Sequence, residues 1–204
     1  MTMTPRLSKF MLISHITFSV GWLGAVVVFL ALAITGLTSH NLQIVRAYLI
    51  AMELSAWLVI VPFCLTSLFT GVIQAASTKW GLFKHYWIVV KLFLTVASTI
   101  LLLLHMQPIN FLAGVATDNL FSNAQHTAQL IDLVAKAGAA ILVLIAITTI
   151  SVYKPWGKIK FRSNSNIQKD VTYRKTKSLG FYLLTSLVIL IIIFIIMHLF
   201  GGGM

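Results

Sequence analysis

The sequence predicts an all-α integral membrane protein, a five-helix bundle with its N-terminus cytoplasmic and its C-terminus outside. Three observations lead there. Hydrophobic residues make up 59% of the 204 positions and charged residues only 9%. A water-facing surface usually carries roughly 25% charged residues, so a soluble domain is excluded, while the apolar excess excludes a disordered chain. The apolar residues also gather into five segments, each long enough to cross a bilayer as a helix of about 20 residues. Finally, 15 basic residues face only 4 acidic ones, a net charge of +11, and the basic residues fall on alternate loops. The lone cysteine, Cys64, excludes a disulfide framework and a CxxC redox centre.

The expected spans are 11–37, 47–74, 86–107, 129–153 and 179–200, within a single transmembrane domain, 1–204. Lipid offers no hydrogen bonds to the backbone, so each segment must be helical at its centre. The first is too long for the apolar region of a signal peptide and has no clean small-residue cleavage site after it. Pro62 lies inside the second and is expected to kink it. Between the third and fourth, 108–128 contains Pro108, Asn110, Gly114, Asp118 and Asn119, and is expected to be a partly irregular external loop with a short interfacial helix. The fifth, almost wholly apolar from Leu187 to Ile196, is expected to face lipid, with His198 at the interface.

Charge sets the orientation. Arg6 and Lys9, then Lys79 and Lys84, then eight basic residues between Lys154 and Lys177 occupy one set of loops, and only Arg46 occupies the other. The positive-inside rule puts the N-terminus and the 154–178 loop in the cytoplasm. That loop is read as a topology anchor contacting anionic headgroups of membrane lipids. Sidedness accounts for the positive balance, and no nucleic acid is expected.

Ionisable groups within spans are few, and such groups are costly in lipid unless they face the bundle or a site. Span 2 carries Glu53, with Cys64, Ser67, Gly71 and Gln74 on roughly the same face at about 100° per residue. It reads either as a packing seam or as one in which Glu53 moves a proton or tunes a histidine. Span 3 holds Lys91, Thr95, Ser98 and His105 on one broad side, with His85 elsewhere around the axis. His85 and His105 are twenty residues apart, about 30 Å along a helix, so one cofactor cannot take both. In span 4, His126, Gln129, Asp132 and Lys136 share a side, and Asp132 and Lys136 have the spacing of an ion pair. Span 1 adds His15, with Ser19 and Trp22 near the same face. His15 and His85 are expected near the cytoplasmic surface. His105, His126 and Glu53 are expected near the outer one.

Neutral imidazoles from two helices can clamp a haem iron without adding charge, and the same atoms suit copper or zinc. Lys91 reads either as a lysine snorkelling to the interface or as a fixed charge facing a haem propionate, a quinone or another anionic group.

His15, the segment Ser19-Val20-Gly21-Trp22-Leu23-Gly24, Thr70-Gly71, and Trp80-Gly81, Trp87 and Val90-Lys91-Leu92 together resemble the membrane domains of copper-resistance D proteins. That group includes the small haem-binding protoporphyrinogen oxidase of bacteria, and the chain looks most like its small uncharacterised actinobacterial and bacillar relatives. The resemblance covers spans 1 to 3 and implies a multi-pass protein of the bacterial cell membrane. It also implies a helical bundle holding haem b, with His15 and Lys91 in the early-span histidine and later-span lysine positions. No complete catalytic constellation of the oxidase is present, and the Met-rich or Cys-rich external segment of a copper relay is missing.

The expected function is therefore that of a b-type haem protein in electron transfer or redox sensing, with a quinone or other redox partner. Its ligands are drawn from His105, His126, His15 and His85, with Lys91 and Lys136 compensating propionate charge. Convergence with Glu53 favours His105 and His126, whereas the resemblance favours His15 and His85. A small metal-ion or solute transporter and a non-enzymatic accessory subunit are the alternatives, and a homo-oligomer is compatible with any of these readings.

Overall fold

The computed structural model describes residues 3–77, 85–117 and 123–154, with the side chains of 123–126 excepted. The segment expected as the fifth span, 179–200, lies outside the described residues, as does nearly all of the 154–178 loop. Every regular element described is helical: α1 (Pro5–Thr38), α2 (Leu42–Ser55), a π-helical turn (Ala56–Ile60), α3 (Val61–Ser77), α4 (Tyr86–Thr117) and α5 (Asn123–Tyr153). Because α2, the π turn and α3 form one continuous rod, the described chain has four helices long and apolar enough to cross a membrane.

The helix ends follow from local chemistry. Pro5 opens α1, where a missing N–H costs nothing. Ser39 closes it in an extended conformation, its N–H bonded to the Thr35 carbonyl. Asn41 then caps α2, its side-chain oxygen accepting from the N–H groups of Gln43 and Ile44. At 34 residues α1 is roughly 50 Å long, more than the ~30 Å of a bilayer's hydrocarbon core.

Pro62 acts through winding. It removes the hydrogen bond that the Leu58 carbonyl would accept in an α-helix, and just upstream Ala56–Ile60 adopt wider i→i+5 winding. This corrects the face expected for span 2. Each residue of a π turn advances the phase by less than a residue of an α turn, so Glu53 before it no longer shares the face of Cys64 and Ser67 after it. Glu53 is half-buried, whereas Cys64 and Ser67 are buried.

The irregular loop expected from residue 108 is a second correction, for α4 continues through Pro108 to Thr117. One proline deletes one backbone bond, while Ile109, Leu112, Ala113 and Ala116 keep a buried helical stripe beyond it. Asn110, read as a helix breaker, accepts a 2.9 Å bond from the Trp57 indole and ties α4 to the π turn. On the other side of the connection, α5 starts at Asn123, ahead of the expected 129.

In the bundle, α1 packs against α2, α3 and α5, and α4 packs against α2, α3 and α5. The ends bearing Pro5, Ser77, Tyr86 and Tyr153 form one end, called here the basic end after Arg6, Lys9 and Lys154. Two glycines permit close approach. A Cβ on Gly21 would lie 2.5 Å from the Phe63 ring, and one on Gly71 would lie 2.9 Å from His15 Cε1. Outward positions are apolar as well, Leu58, Phe69 and Leu142 among them. Such a surface is unfavourable in water and natural in lipid.

Candidate functional site

Two polar regions lie inside the bundle. The first is a seam between α1, α3 and α4, centred on His15 in the half nearer the basic end. His15 is 9% exposed, and both of its ring nitrogens are engaged. Nδ1 lies 3.0 Å from the Ser67 carbonyl, which can only accept, so Nδ1 carries the proton; the Thr70 hydroxyl is 3.4 Å from the same nitrogen. Nε2 is then the lone-pair nitrogen, and the Lys91 ammonium donates to it at 3.1 Å. Gly71 provides the room for the ring.

Local bonds extend the seam. Ser19 Oγ and Ser67 Oγ are 2.7 Å apart, joining α1 to α3. Thr95 donates to the Lys91 carbonyl and Thr99 to the Thr95 carbonyl, the usual return of a helical threonine onto its own backbone. With the Thr99 proton so used, Cys64 donates its S–H to Thr99 Oγ1 at 3.2 Å. Cys64, Ser67, Thr70, Thr95 and Thr99 are all buried, each with a partner, as buried polar groups require.

The second region lies farther from the basic end, between α1, the π turn, α4 and α5. It is a cavity of about 120 Å³ with mainly apolar walls, including Trp22, Phe29, Leu102 and Val143. Ser98, His105 and Lys136 are its polar wall residues. His105 Nδ1 donates to the Leu101 carbonyl, Ser98 to the Leu94 carbonyl, and Lys136 pairs with Asp132 at 2.5 Å.

The structure thus divides the expected site residues. It joins His15 with Lys91, groups His105 with Lys136, and forms the expected Asp132–Lys136 pair. The single broad side expected for span 3 separates into Lys91 and Thr95 on the seam and Ser98 and His105 on the cavity. His85 is buried with its ring centroid 6.3 Å from that of Trp87, and the Lys154 ammonium lies 5.7 Å from the centre of the Trp87 ring. Ser67 and Lys91 take the nitrogens of His15, so His85 is not its hydrogen-bond partner. The side chain of His126 lies outside the described residues. Sequence reasoning did not single out the Ser67 carbonyl, which has no side-chain signature, or Phe63, whose signal is the facing Gly21.

As a donor set, the seam holds a neutral imidazole oriented through Nδ1 by a carbonyl, with the Lys91 ammonium at Nε2, the nitrogen that a metal would need. Metal-ligating histidines almost always have this arrangement of the outer nitrogen. The cavity fits a haem less well, since about 150 Å³ is the room that one benzene ring takes in an engineered protein cavity. Among the described residues, no group of three or more His, Cys, Asp or Glu side chains is placed to hold a metal ion. Comparison with models of known families, with curated proteins and with solved structures finds no match to this chain.

Proposed function

We propose that this chain is a b-type haem-binding membrane protein serving electron transfer or redox sensing, with His15 as an axial ligand. The observation that carries this reading is the His15 ring, with Nδ1–H directed to the Ser67 carbonyl and Nε2 beside Lys91. A bound haem would supply a one-electron centre. The protein's part is to hold the imidazole as its Nε2-donor tautomer, to exclude water around it, and to provide a positive charge. Lys91 has a flexible four-carbon stem and can move its ammonium from Nε2 to a propionate, so that one residue covers the lone pair or the acid group in turn. The resemblance of spans 1 to 3 supports the same pair, and His85 is the second ligand it favours. The distribution of basic residues supports a five-span topology with a cytoplasmic N-terminus, and the resemblance is what supports a bacterial cell membrane.

The test is the visible spectrum of protein expressed with ample haem and purified in mild detergent. A Soret band with sharp reduced α and β bands is expected, and it should disappear in His15→Ala. Lys91→Met should lower haem retention while leaving the band positions of the remaining haem unchanged. A folded but colourless protein rejects the proposal. Loss of the bands in His105→Ala or His126→Ala, with His15→Ala unaffected, moves the haem to the opposite end of the bundle.

A further inference from the structure

We propose that the cavity between α1, the π turn, α4 and α5 takes the end of a phospholipid acyl chain, reaching in from the middle of the bilayer. The inference goes beyond haem at His15 and stands on a different set of side chains.

Depth limits the occupant first. Trp22 of α1, Ile60 of the rod of α2 and α3, Leu101 and Leu102 of α4, and Ala137 and Ala139 of α5 all line the cavity, and each lies at the middle of its helix. Four apolar helices that cross the hydrocarbon core have their middles near its mid-plane, roughly 15 Å from either headgroup layer. The chains of the two leaflets end at that depth, and a lipid headgroup does not reach it.

Polarity limits it next. The wall is mainly apolar, and its polar residues already have partners. Ser98 donates to the Leu94 carbonyl, and His105 Nδ1 to the Leu101 carbonyl; His105 is also engaged a second time. Lys136 turns its ammonium to Asp132 and leaves its apolar stem to the wall. None of these groups depends on a ligand for its hydrogen bond, so a hydrocarbon meets no unpaired polar group.

Shape selects the chain end. A cavity of about 120 Å³ is smaller than the roughly 150 Å³ that takes benzene, so it excludes a substituted ring. It admits the last few carbons of an unbranched chain, which is narrower and enters end first. The cavity is not closed, and Leu104 and Leu142, outward in the same turns of α4 and α5, are exposed and apolar. A chain can therefore pass from the surrounding lipid into it without crossing a polar surface. The gain is contact and not removal from water, since atoms lining an empty space lack partners on one side and a chain end supplies them.

The experiment uses the full chain in phospholipid vesicles and two photoreactive phosphatidylcholines, one with a diazirine at the end of an acyl chain and one with it beside the carboxyl group. Adducts are mapped by peptide mass spectrometry. The terminal diazirine should label Val26, Phe29 and Val143, cavity residues only 6% exposed and so turned away from the outer lipid. The diazirine near the carboxyl group should label them at least about tenfold less. Ala140→Leu, which fills the cavity, should lower the buried adducts by about tenfold and leave those on Leu142 unchanged. If Ala140→Leu fails to fold, the milder Ala139→Val decides by the same comparison. Labelling confined to exposed residues would mean that something other than lipid fills the cavity, which overturns the proposal. Equal labelling of Phe29 by the two lipids, or buried adducts that persist in the filled variant, overturns it as well.

Discussion

The seam around His15 and the cavity around Trp22 are built from the same three kinds of material: histidine, lysine and small hydroxyl residues. They differ in how the lysine is balanced. Lys136 has a carboxylate four residues away on its own helix, and the pair is partly exposed. Lys91 has for its partner a neutral histidine on another helix, itself oriented by a third. The seam therefore depends on α1, α3 and α4 staying in register, whereas the ion pair would form on α5 alone. It follows that a cation inside the bundle without a counter-charge is a better marker of a site than a cation with one.

The largest effect expected from this contrast is at Gly71. Gly71→Leu places carbon where the His15 ring lies, so it should overpack the α1–α3 contact and break the Ser67 bond, costing about 3 kcal/mol in all. Unfolding in mixed detergent and SDS measures it, and a loss below about 1 kcal/mol would mean that the ring is not confined as described. Next is Gly21→Val, which meets the edge of the Phe63 ring. About 1–2 kcal/mol should be lost, and most of it should return when Phe63→Leu is added. In the cavity the sign reverses. Ala140→Leu fills space, so stability should rise by about 0.5–1 kcal/mol, and a clear decrease would show that the space is tighter than described. The smallest effect is expected for Lys136→Met, under about 1 kcal/mol, since a partly exposed pair contributes little. A larger loss there would remove the distinction between the two lysines.

Much of this was legible in the sequence, for identifiable reasons. Apolar runs must be helices in lipid, so four spans were readable to within a few residues at their cores. The face of Cys64, Ser67 and Gly71 was readable because α3 winds regularly through it. Glu53 was misplaced because periodicity assumes uniform winding, and Pro62 changes the winding upstream of itself. Pro108 was overrated as a breaker because local signals count one missing backbone bond and not the buried stripe from Ile109 to Ala116. The meeting of His15 with Lys91 could be suspected from a family pattern, but the Ser67 carbonyl that orients the ring leaves no trace in a sequence.

The π turn has a consequence for how this rod tolerates changes in length. It holds one residue more than an α turn at the same place requires. Removing a single residue from Ala56–Ile60 should convert it to α winding while leaving the faces of α2 and α3 pointing as they do now. The same deletion within α3 would turn everything beyond it by about 100° and separate Ser67 from His15. The rod thus has one stretch where a codon can be lost with little effect, next to another where the same loss would dismantle the site.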